Sequence, residues 1–352
     1  MPDYRGRVTT STEDTGTDPV GPHDAASPST PTGRSQRIAD RAAVAVGVAA
    51  FLLLALRWVD SGSSIVVVIQ AMQPVWVLLL AVTALTLCAL RRWWALLWLY
   101  PATLILLLVM GQYWLRASGD PDPTPQTTNT VRVLTINMHA GQADPQQVVD
   151  EAKALSSDVV VLTEAGPDTL AALDDLGWRT TYPHRTGPSS GSANAPVMGT
   201  VVLSRWPQVA VPFPQQAGDF EQPVVTLRTP AGDILVRGVH PRPPVGGGSD
   251  RWRAQLRELD QWQAVQQGRP VILVGDFNAG TVHPAYRQLL RRLTDVHEAT
   301  GTWYQRTWPA NRIGPPSVGL DHVLVRGLAP REAGTVHIDG TDHLGVWADL
   351  AW

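Results

Sequence analysis

Two different hydrophobic patterns divide the chain, with long apolar blocks before residue 116 and short alternating segments after residue 130. The three blocks cover about residues 42–59, 65–90 and 93–115. A helix that crosses a membrane needs about 20 predominantly apolar residues. The blocks are apolar around their whole circumference, whereas the helices of a soluble bundle have a polar face at a period of 3.6. The pattern therefore predicts three transmembrane helices.

The arginine residues that flank these blocks predict their orientation. Arg34, Arg37 and Arg41 precede the first block, and Arg91 with Arg92 separates the second from the third. The other two flanks combine arginine with aspartate, as in Arg57 with Asp60. Basic residues accumulate on the cytoplasmic side of membrane proteins. We therefore expect a multi-pass protein of the cell membrane, with its N-terminus in the cytoplasm and everything after residue 115 outside.

Two polar segments flank the predicted spans. Residues 1–36 are rich in Thr, Ser, Pro, Gly and Asp, a composition that buries too little apolar surface to offset chain entropy. We expect a disordered cytoplasmic tail there. Residues 117–130 contain Pro121, Pro123 and Pro125, which is typical of a semi-extended linker.

Residues 131–352 alternate between strand and helix patterns, which predicts one α/β domain. Strands are expected at 131–136, 159–162, 200–203, 224–227, 234–239, 271–274, 323–325 and 344–350. Asp144 followed by Pro145 is typical of a helix start, and this helix should reach about residue 155. Ser249 or Asp250 should cap a second helix, and a third is expected at 283–293.

Polar side chains follow or precede these strands at their ends. They are Asn137, Glu164, His240, Asp276, Asn278, Asp321, Asp342 and His343. A single Asp or Asn after a strand is more typical of an ordinary turn. A series of them at successive strand ends, where α/β folds place their reacting groups, indicates a functional site.

The residue types in this series favour one kind of chemistry. Carboxylate and amide oxygens are the ligands that Mg²⁺ or Mn²⁺ prefers, and histidine exchanges protons near neutral pH. No Cys–His spacing typical of structural zinc is present, and the one cysteine, Cys88, lies in an apolar block. The set therefore predicts metal-assisted attack of water on a phosphoryl centre.

The segments that carry these residues resemble the endonuclease/exonuclease/phosphatase superfamily of DNase I-like nucleases, sphingomyelinases and inositol phosphatases. They are Leu-Thr-Ile-Asn ending at Asn137, Val-Leu-Thr-Glu ending at Glu164, Ser204-Arg205, Gly275-Asp-Phe-Asn, Leu320-Asp-His and Thr341-Asp-His. The resemblance implies a four-layer α/β sandwich, in which helices flank two mixed β-sheets. The chain departs from the usual pattern at Thr163, where glutamine is common, without losing an oxygen ligand.

The resemblance also implies the metal ligands. Glu164 would be the principal ligand of Mg²⁺ or Mn²⁺, with Asn137 nearby and Asp342 as a further ligand. His139, two residues after Asn137, is expected to be a loop residue, and His283 is expected to be structural.

The remaining residues would carry the catalytic roles of the family. His343 would contact the phosphoryl group and would be oriented by Asp321. Asp276 would orient or deprotonate the attacking water, Asn278 would donate to a phosphate oxygen, and His240 would donate to the phosphate or the leaving group. His343 and Asp276 both remain candidates for the general base.

The charge and the membrane attachment bear on the substrate. From residue 131 onward the domain has 19 basic and 22 acidic residues, whereas a nuclease needs a basic surface that neutralises several phosphates. Nucleic acid is therefore the less expected partner. The predicted tether favours the lipid bilayer and a lipid-linked or small phosphate ester.

A narrower resemblance, to three-span bacterial membrane proteins that include VanJ-type teicoplanin-resistance proteins, points to a particular lipid. It rests on Gly141-Gln-Ala-Asp-Pro, on Gly275-Asp-Phe-Asn-Ala followed by His283-Pro284, and on Leu320-Asp-His-Val. It implies a phosphatase that acts on undecaprenyl, or another polyprenyl, pyrophosphate in the cell envelope, with a role in antibiotic resistance. A general phosphodiesterase, an extracellular nuclease and a non-catalytic membrane receptor remain alternatives.

Overall fold

A computed structural model describes residues 33–91, 93–117, 129–188, 195–302 and 306–352. The chain divides into two compact units, Met1–Arg41 and Ala42–Trp352. The predicted disordered tail lies, as far as residue 32, outside the described residues, and so do residues 118–128 of the predicted linker. The second unit contains both the apolar helices and the α/β domain.

The apolar blocks form four helices that differ from the three expected spans. They are α1 (Gly33–Ala55), α2 (Ser64–Ala71), α3 (Gln73–Ala89) and α4 (Tyr100–Ala117), with 3₁₀ turns at Leu56–Trp58 and Trp93–Leu99. Within the described residues, one continuous helix, Asp40–Trp58, is long and apolar enough to cross a membrane. The pair α2 and α3 reaches that length only as one bent span, and the apolar helix Leu96–Gly111 is shorter. Three spans therefore remain a prediction.

Proline explains the break between α2 and α3. Their axes differ by 56°, and Met72 caps α3 ahead of Pro74 in its first turn. Proline has no N–H and its ring clashes with the preceding turn, so that a continuous helix kinks or ends there. The second apolar block, expected as one helix over 65–90, is therefore two.

The strands of the α/β domain form two six-stranded mixed sheets. One contains β1 (Thr130–Asn137), β2 (Val159–Thr163), β3 (His184–Thr186), β4 (Thr200–Ser204), β11 (Ala329–Val336) and β12 (Gly345–Ala351), in the order β11-β12-β1-β2-β4-β3. The other contains β5 (Gln208–Ala210), β6 (Val224–Thr229), β7 (Gly232–Val239), β8 (Val271–Asp276), β9 (Thr294–Asp295) and β10 (Asp321–Arg326), in the order β5-β6-β7-β8-β10-β9. Each sheet has one parallel pair, β1 with β2 and β7 with β8.

The two sheets pack face to face, and helices cover their outer faces. These helices are α5 (Pro145–Ala154), α6 (Pro167–Asp175), α7 (Trp178–Thr181), α8 (Ser249–Ala264) and α9 (Pro284–Leu289). The short helix α10 (Val296–Ala299) instead places Val296 in the core between the sheets. In β1, Val133 faces the core between the sheets, while Leu134 faces α5 and α6. In β8, Ile272 faces the inner core and Leu273 packs with α8 and α9. Both faces of these strands are buried, which explains their uninterrupted apolar sequences.

The predicted two-sheet α/β architecture is therefore confirmed, whereas some element boundaries differ from the predictions. The third predicted helix ends at Leu289 rather than at residue 293. Gly248 is the N-cap residue of α8, in place of Ser249 or Asp250, and no side chain caps that helix. Ser249 instead donates a hydrogen bond to the carbonyl of Gly62.

Helix α2 and the 3₁₀ turn before it pack on the α/β domain. Val67 is buried in the same cluster as Trp252 of α8. His283 donates from Nε2 to the carbonyl of Val67 over 3.3 Å, because its Nδ1 accepts from Gly280 N at 3.1 Å. Arg287 donates to the carbonyl of Arg57 at 2.6 Å. The linker before β1 is therefore not the domain's only connection to the apolar helices.

Candidate functional site

The predicted site residues lie at neighbouring strand ends of both sheets. Asn137 ends β1, Glu164 follows β2, and Asp342 and His343 precede β12 in one sheet. In the other, His240 follows β7, Asp276 ends β8 with Asn278 beyond it, and Asp321 begins β10 opposite Asp276. The structure brings seven of these side chains into one cluster. Asn278 joins it through its backbone N, while its side-chain Nδ2 donates to the carbonyl of Pro241 at 3.1 Å.

Asp276 lies at the centre of this cluster. Its Oδ2 accepts a hydrogen bond from Asn137 Nδ2 at 3.1 Å, and its Oδ1 accepts from Asn278 N at 2.7 Å. The Nε2 atoms of His240 and His343 each lie 4.0 Å from Asp276 Oδ2. Burial, and next the negative charge of Asp321, raise the pKa of Asp276 to about 7. This carboxyl group can therefore exchange a proton near neutral pH.

Glu164 is held against Asn137 by an unusual backbone conformation. Its φ is 54°, and its Oε1 and Oε2 accept from Asn137 Nδ2 at 3.2 Å and from Ala140 N at 2.9 Å. His139, Ala140 and Asn278 also have positive φ. Such conformations cost energy in residues other than glycine and concentrate at functional sites. Burial raises the pKa of Glu164, against the hydrogen bond from Asn137.

His343 and Asp321 form a buried pair. His343 Nδ1 lies 2.8 Å from Asp321 Oδ2, which leaves Nε2 facing Asp276 and Asp342. Burial lowers the pKa of His343, but the charge and hydrogen bond of Asp321, together with the charges of Asp276 and Asp342, outweigh burial, so that the pKa rises to about 10. Burial lowers the pKa of His240 to about 3. At neutral pH His343 is therefore a cation and His240 is neutral.

Asp342 has two neighbours that the sequence did not assign to the site. Its Oδ2 accepts from Trp308 Nε1 at 2.9 Å, and its Oδ1 lies 3.9 Å from His139 Nδ1 and 3.9 Å from His343 Nε2. His139, expected to be only a loop residue, therefore lies at the edge of the cluster. No pattern in the sequence pointed to Trp308. The position of His139, two residues after Asn137, was the one available signal for it.

The donor set fits a hard divalent cation. Asp276, Asp321 and His343 offer ligand atoms that all lie within 4.8 Å of one another, and the charge of Asp342 acts on Glu164 nearby. Asp321 Oδ1 is buried without a hydrogen-bond partner among the described residues. Clustered carboxylates in a buried site need a compensating positive charge. Asn137 presents its amide nitrogen to the carboxylates, while its Oδ1 accepts from His139 N at 2.9 Å.

The comparisons with known proteins concern this same part of the chain. The model of the endonuclease/exonuclease/phosphatase family matches residues 134–343, which is more than half of the chain and includes all eight residues of the cluster. No curated protein is similar enough in sequence to match.

Solved structures share the fold at low sequence identity. A humanised TDP2 of D. rerio is 16% identical and covers 63% of this chain and 99% of its own, with a TM-score of 0.50. An endonuclease/exonuclease/phosphatase of Beutenbergia cavernae is 24% identical, with 64% and 72% covered and a TM-score of 0.48. Sphingomyelinase C of Streptomyces griseocarneus is 22% identical, with 64% and 100% covered and a TM-score of 0.46. Of these three, only the TDP2 structure, with a TM-score of 0.50, bears on the fold, and at 16% identity it supports the fold alone. The family match over residues 134–343 shows that this chain belongs to the endonuclease/exonuclease/phosphatase family.

Proposed function

We propose that the chain is a membrane-anchored, divalent-metal-dependent phosphoesterase that hydrolyses a phosphate or pyrophosphate ester at the outer face of the membrane. Membership of the family makes it a phosphoester hydrolase of the phosphatase and nuclease type. The observation that carries the proposal is the convergence of four carboxylates, two histidines and two amides at the strand ends of both sheets. The preferred substrate in this proposal is undecaprenyl pyrophosphate.

The metal would be held by Glu164 and Asp342, with Asn137 beside them. When bound, a divalent cation neutralises the charge of the phosphoryl oxygens and favours attack by water. The ligand atoms that lie within 4.8 Å of one another belong to Asp276, Asp321 and His343. Together with the unpartnered Asp321 Oδ1, they support a cation in this cluster, beside Glu164 and Asp342, rather than a position at those two residues alone. Mg²⁺ is the ion that we propose, because it binds through few carboxylates together with substrate phosphates.

The positions of the remaining side chains indicate a separate catalytic role for each. Asp321 holds Nδ1 of His343, so that Nε2 faces the cluster and can donate to a phosphoryl oxygen. Asp276 is fixed by Asn137 and Asn278 N and can orient or deprotonate the attacking water. His240, 4.0 Å from Asp276, can donate to the leaving group. Positioned donors of this kind stabilise the charge that develops in the transition state.

The packing of the helices supports the proposed membrane topology. The connection between the first two predicted spans contacts α8 through Asp60 and Gly62. Arg57 and Val67, at the adjoining ends of those spans, contact α9 and its N-cap residue His283. A connection that touches the catalytic domain must lie on the same side of the membrane as that domain. The arginine distribution independently predicts that both lie outside, with the N-terminus and Arg91 in the cytoplasm.

The charge of the domain supports a lipid-linked substrate over DNA. With 19 basic and 22 acidic residues from position 131 onward, the domain lacks the excess of positive charge that binds a nucleic-acid backbone. A catalytic domain attached to apolar helices also works next to lipid headgroups. An extracellular nuclease and a general phosphodiesterase are the competing activities within the same family.

The test is phosphate release by the full chain, purified in detergent, with Mg²⁺. We expect release from undecaprenyl pyrophosphate and no cleavage of single- or double-stranded DNA. Cleavage of DNA without release from the lipid would overturn the lipid assignment and leave the hydrolase in place. The Glu164→Ala variant should lose release while it keeps the thermal unfolding midpoint of the wild type.

A matched control distinguishes catalysis from a receptor role. Glu332→Ala removes an exposed carboxylate from β11, remote from the cluster, and should keep full release. If Glu164→Ala and Glu332→Ala release phosphate equally, the cluster is not catalytic, and the result favours a non-catalytic membrane receptor.

A further inference from the structure

A cavity of about 340 Å³ lies between the apolar helices and the α/β domain. Its apolar wall includes Val77 of α3 and Ile105, Leu106 and Val109 of α4. Its opposite wall is formed by the loops at 280–282 and 317–319 and by residues next to α10. Ligand pockets in proteins begin at about 300 Å³, so that this space is large enough for part of a small molecule.

The cavity adjoins the catalytic cluster at one shared residue, Asp321. Asp321 lines the cavity, and its Oδ2 also lies 2.8 Å from His343 Nδ1. In the sheet, Asp321 is paired with Asp276. A molecule that fills the cavity would therefore lie one residue away from the groups that act on phosphate.

Besides Asp321 Oδ1, another buried polar atom of the cavity wall has no hydrogen-bond partner among the described residues. His297 lines the cavity with 6% of its surface exposed, and its Nε2 has no hydrogen-bond partner among the described residues. Its other ring nitrogen lies 2.8 Å from Thr302 Oγ1. Buried polar atoms are normally hydrogen-bonded, and each exception calls for an explanation. A ligand that is mostly apolar but has an oxygen atom would provide this partner.

We propose that this cavity binds the hydrocarbon chain of an amphiphilic phosphate ester at the end next to its phosphate. The inference rests on the proposed function and adds the site that selects the substrate. The apolar wall from α3 and α4 suits a hydrocarbon chain, and Asp321 places the phosphate end at the catalytic cluster. The volume accommodates the first prenyl units, while the rest of a long chain extends along the apolar helices.

The experiment compares two prenyl pyrophosphates that differ only in chain length. The ratio of kcat/KM for farnesyl pyrophosphate to that for dimethylallyl pyrophosphate is measured in the full chain in detergent. Each buried methylene contributes a factor of about four to binding, so that the wild-type ratio should exceed about ten. The ratio is independent of the fraction of folded enzyme, because both substrates meet the same preparation.

Matched variants in the same helix test whether the preference for the longer prenyl chain arises in the cavity. Val77→Phe fills the cavity from α3 and should lower the ratio about tenfold. Val82→Phe makes the same change in α3 at a position that is 52% exposed and outside the cavity, and should leave the ratio unchanged. In α4, Leu106→Trp should lower the ratio, while Leu108→Trp, at a position that is 56% exposed, should not.

The outcomes separate this inference from the proposed function. Hydrolysis of both substrates with equal kcat/KM, or equal ratios in Val77→Phe and Val82→Phe, would overturn the binding site and leave the phosphoesterase intact. If the wild type hydrolyses no phosphate ester at all, the proposed function fails, and this inference fails with it.

Discussion

Asp276 connects the side chains that the two sheets contribute to the site. It accepts hydrogen bonds from Asn137 of one sheet and from the backbone of Asn278 in the other. Asn137 Nδ2 also donates to Glu164 at 3.2 Å, so that one amide links two carboxylates. Because buried polar networks are strongly coupled, substitutions within this cluster should not be additive.

The first prediction concerns the His343–Asp321 pair. Asp321→Asn keeps the size of the side chain but removes the charge that orients the imidazole and stabilises its cation. By analogy with other buried histidine–carboxylate pairs, kcat should fall by about 10²–10⁴. Steady-state phosphate release measures this effect. Asp339→Asn, whose side chain is 71% exposed, is the control, and an equal loss in both variants would contradict the assignment.

A second prediction concerns the stability at acidic pH. His283 is fully buried against α2, α8 and Arg287, and burial lowers its pKa to about 4. The pKa of histidine in the unfolded chain is about 6.5. At pH values between about 6.5 and 4, the unfolded chain therefore binds a proton at His283 that the folded chain does not. Stability should therefore be complete above about pH 6.5 and fall by up to about 3 kcal/mol as the pH drops to 4.

The charged groups that face His283 are Arg287 and Arg57, and both disfavour its protonation. The thermal unfolding midpoint of wild type and His283→Gln at pH 7 and pH 5 measures the effect. The difference between the two pH values should be smaller in the variant. His337→Gln, at a side chain that is 59% exposed, should behave as the wild type; identical pH profiles in all three proteins would refute the linkage.

The sequence could predict that the eight site residues lie near one another, because they stand at or just beyond the ends of apolar strands. Their metal-binding and catalytic roles stay predictions. Trp308 could not be named. Its contact with Asp342 Oδ2 depends on where a loop lies relative to the turn before β12. Such a contact between distant segments leaves no local pattern in the sequence.

At the scale of elements, β8 depends on the glycine before Asp276. Gly275 has φ 143°, and a Cβ atom there would lie 2.2 Å from Val239 O in the neighbouring strand β7. Gly275→Ala should therefore lower the free energy of unfolding by about 2–4 kcal/mol and displace Asp276. Thermal unfolding and phosphate release measure the two effects. Gly111→Ala in α4, where nothing lies within 4 Å of the added atom, should not be destabilising.

The central strands could be predicted because both of their faces are buried and their sequences are apolar without interruption. The edge strands could not. β3, β5 and β9 have three residues or fewer, and β11 contains Pro330 and the exposed Glu332. Edge strands bury little surface and carry little hydrophobic pattern. The break between α2 and α3 was missed for a different reason, since Pro74 interrupts a block that is apolar on both sides.

At the scale of the whole molecule, helix α2 is part of the packing of the α/β domain. Val67 is 2% exposed in a cluster with residues of α8 and α9, while its neighbour Val68 is 44% exposed. The sequence did not predict this contact, because an apolar side chain in a predicted span is indistinguishable from one that faces lipid.

Val67→Ala should lower the free energy of unfolding by about 1–3 kcal/mol, and Val68→Ala should change it by less than about 0.5 kcal/mol. Hydrogen exchange of α2 and α9 measures where the loosening occurs. Equal effects of the two substitutions would mean that α2 does not pack on the domain in solution.

The central claim is that the clustered carboxylates hold a divalent metal that hydrolysis of a phosphate ester requires. The most direct measurement is phosphate release from undecaprenyl pyrophosphate by the full chain before and after treatment with EDTA, and again after Mg²⁺ is restored. The account predicts release that EDTA abolishes and that Mg²⁺ restores in the wild type but not in Glu164→Ala. Release that continues unchanged in EDTA would contradict it.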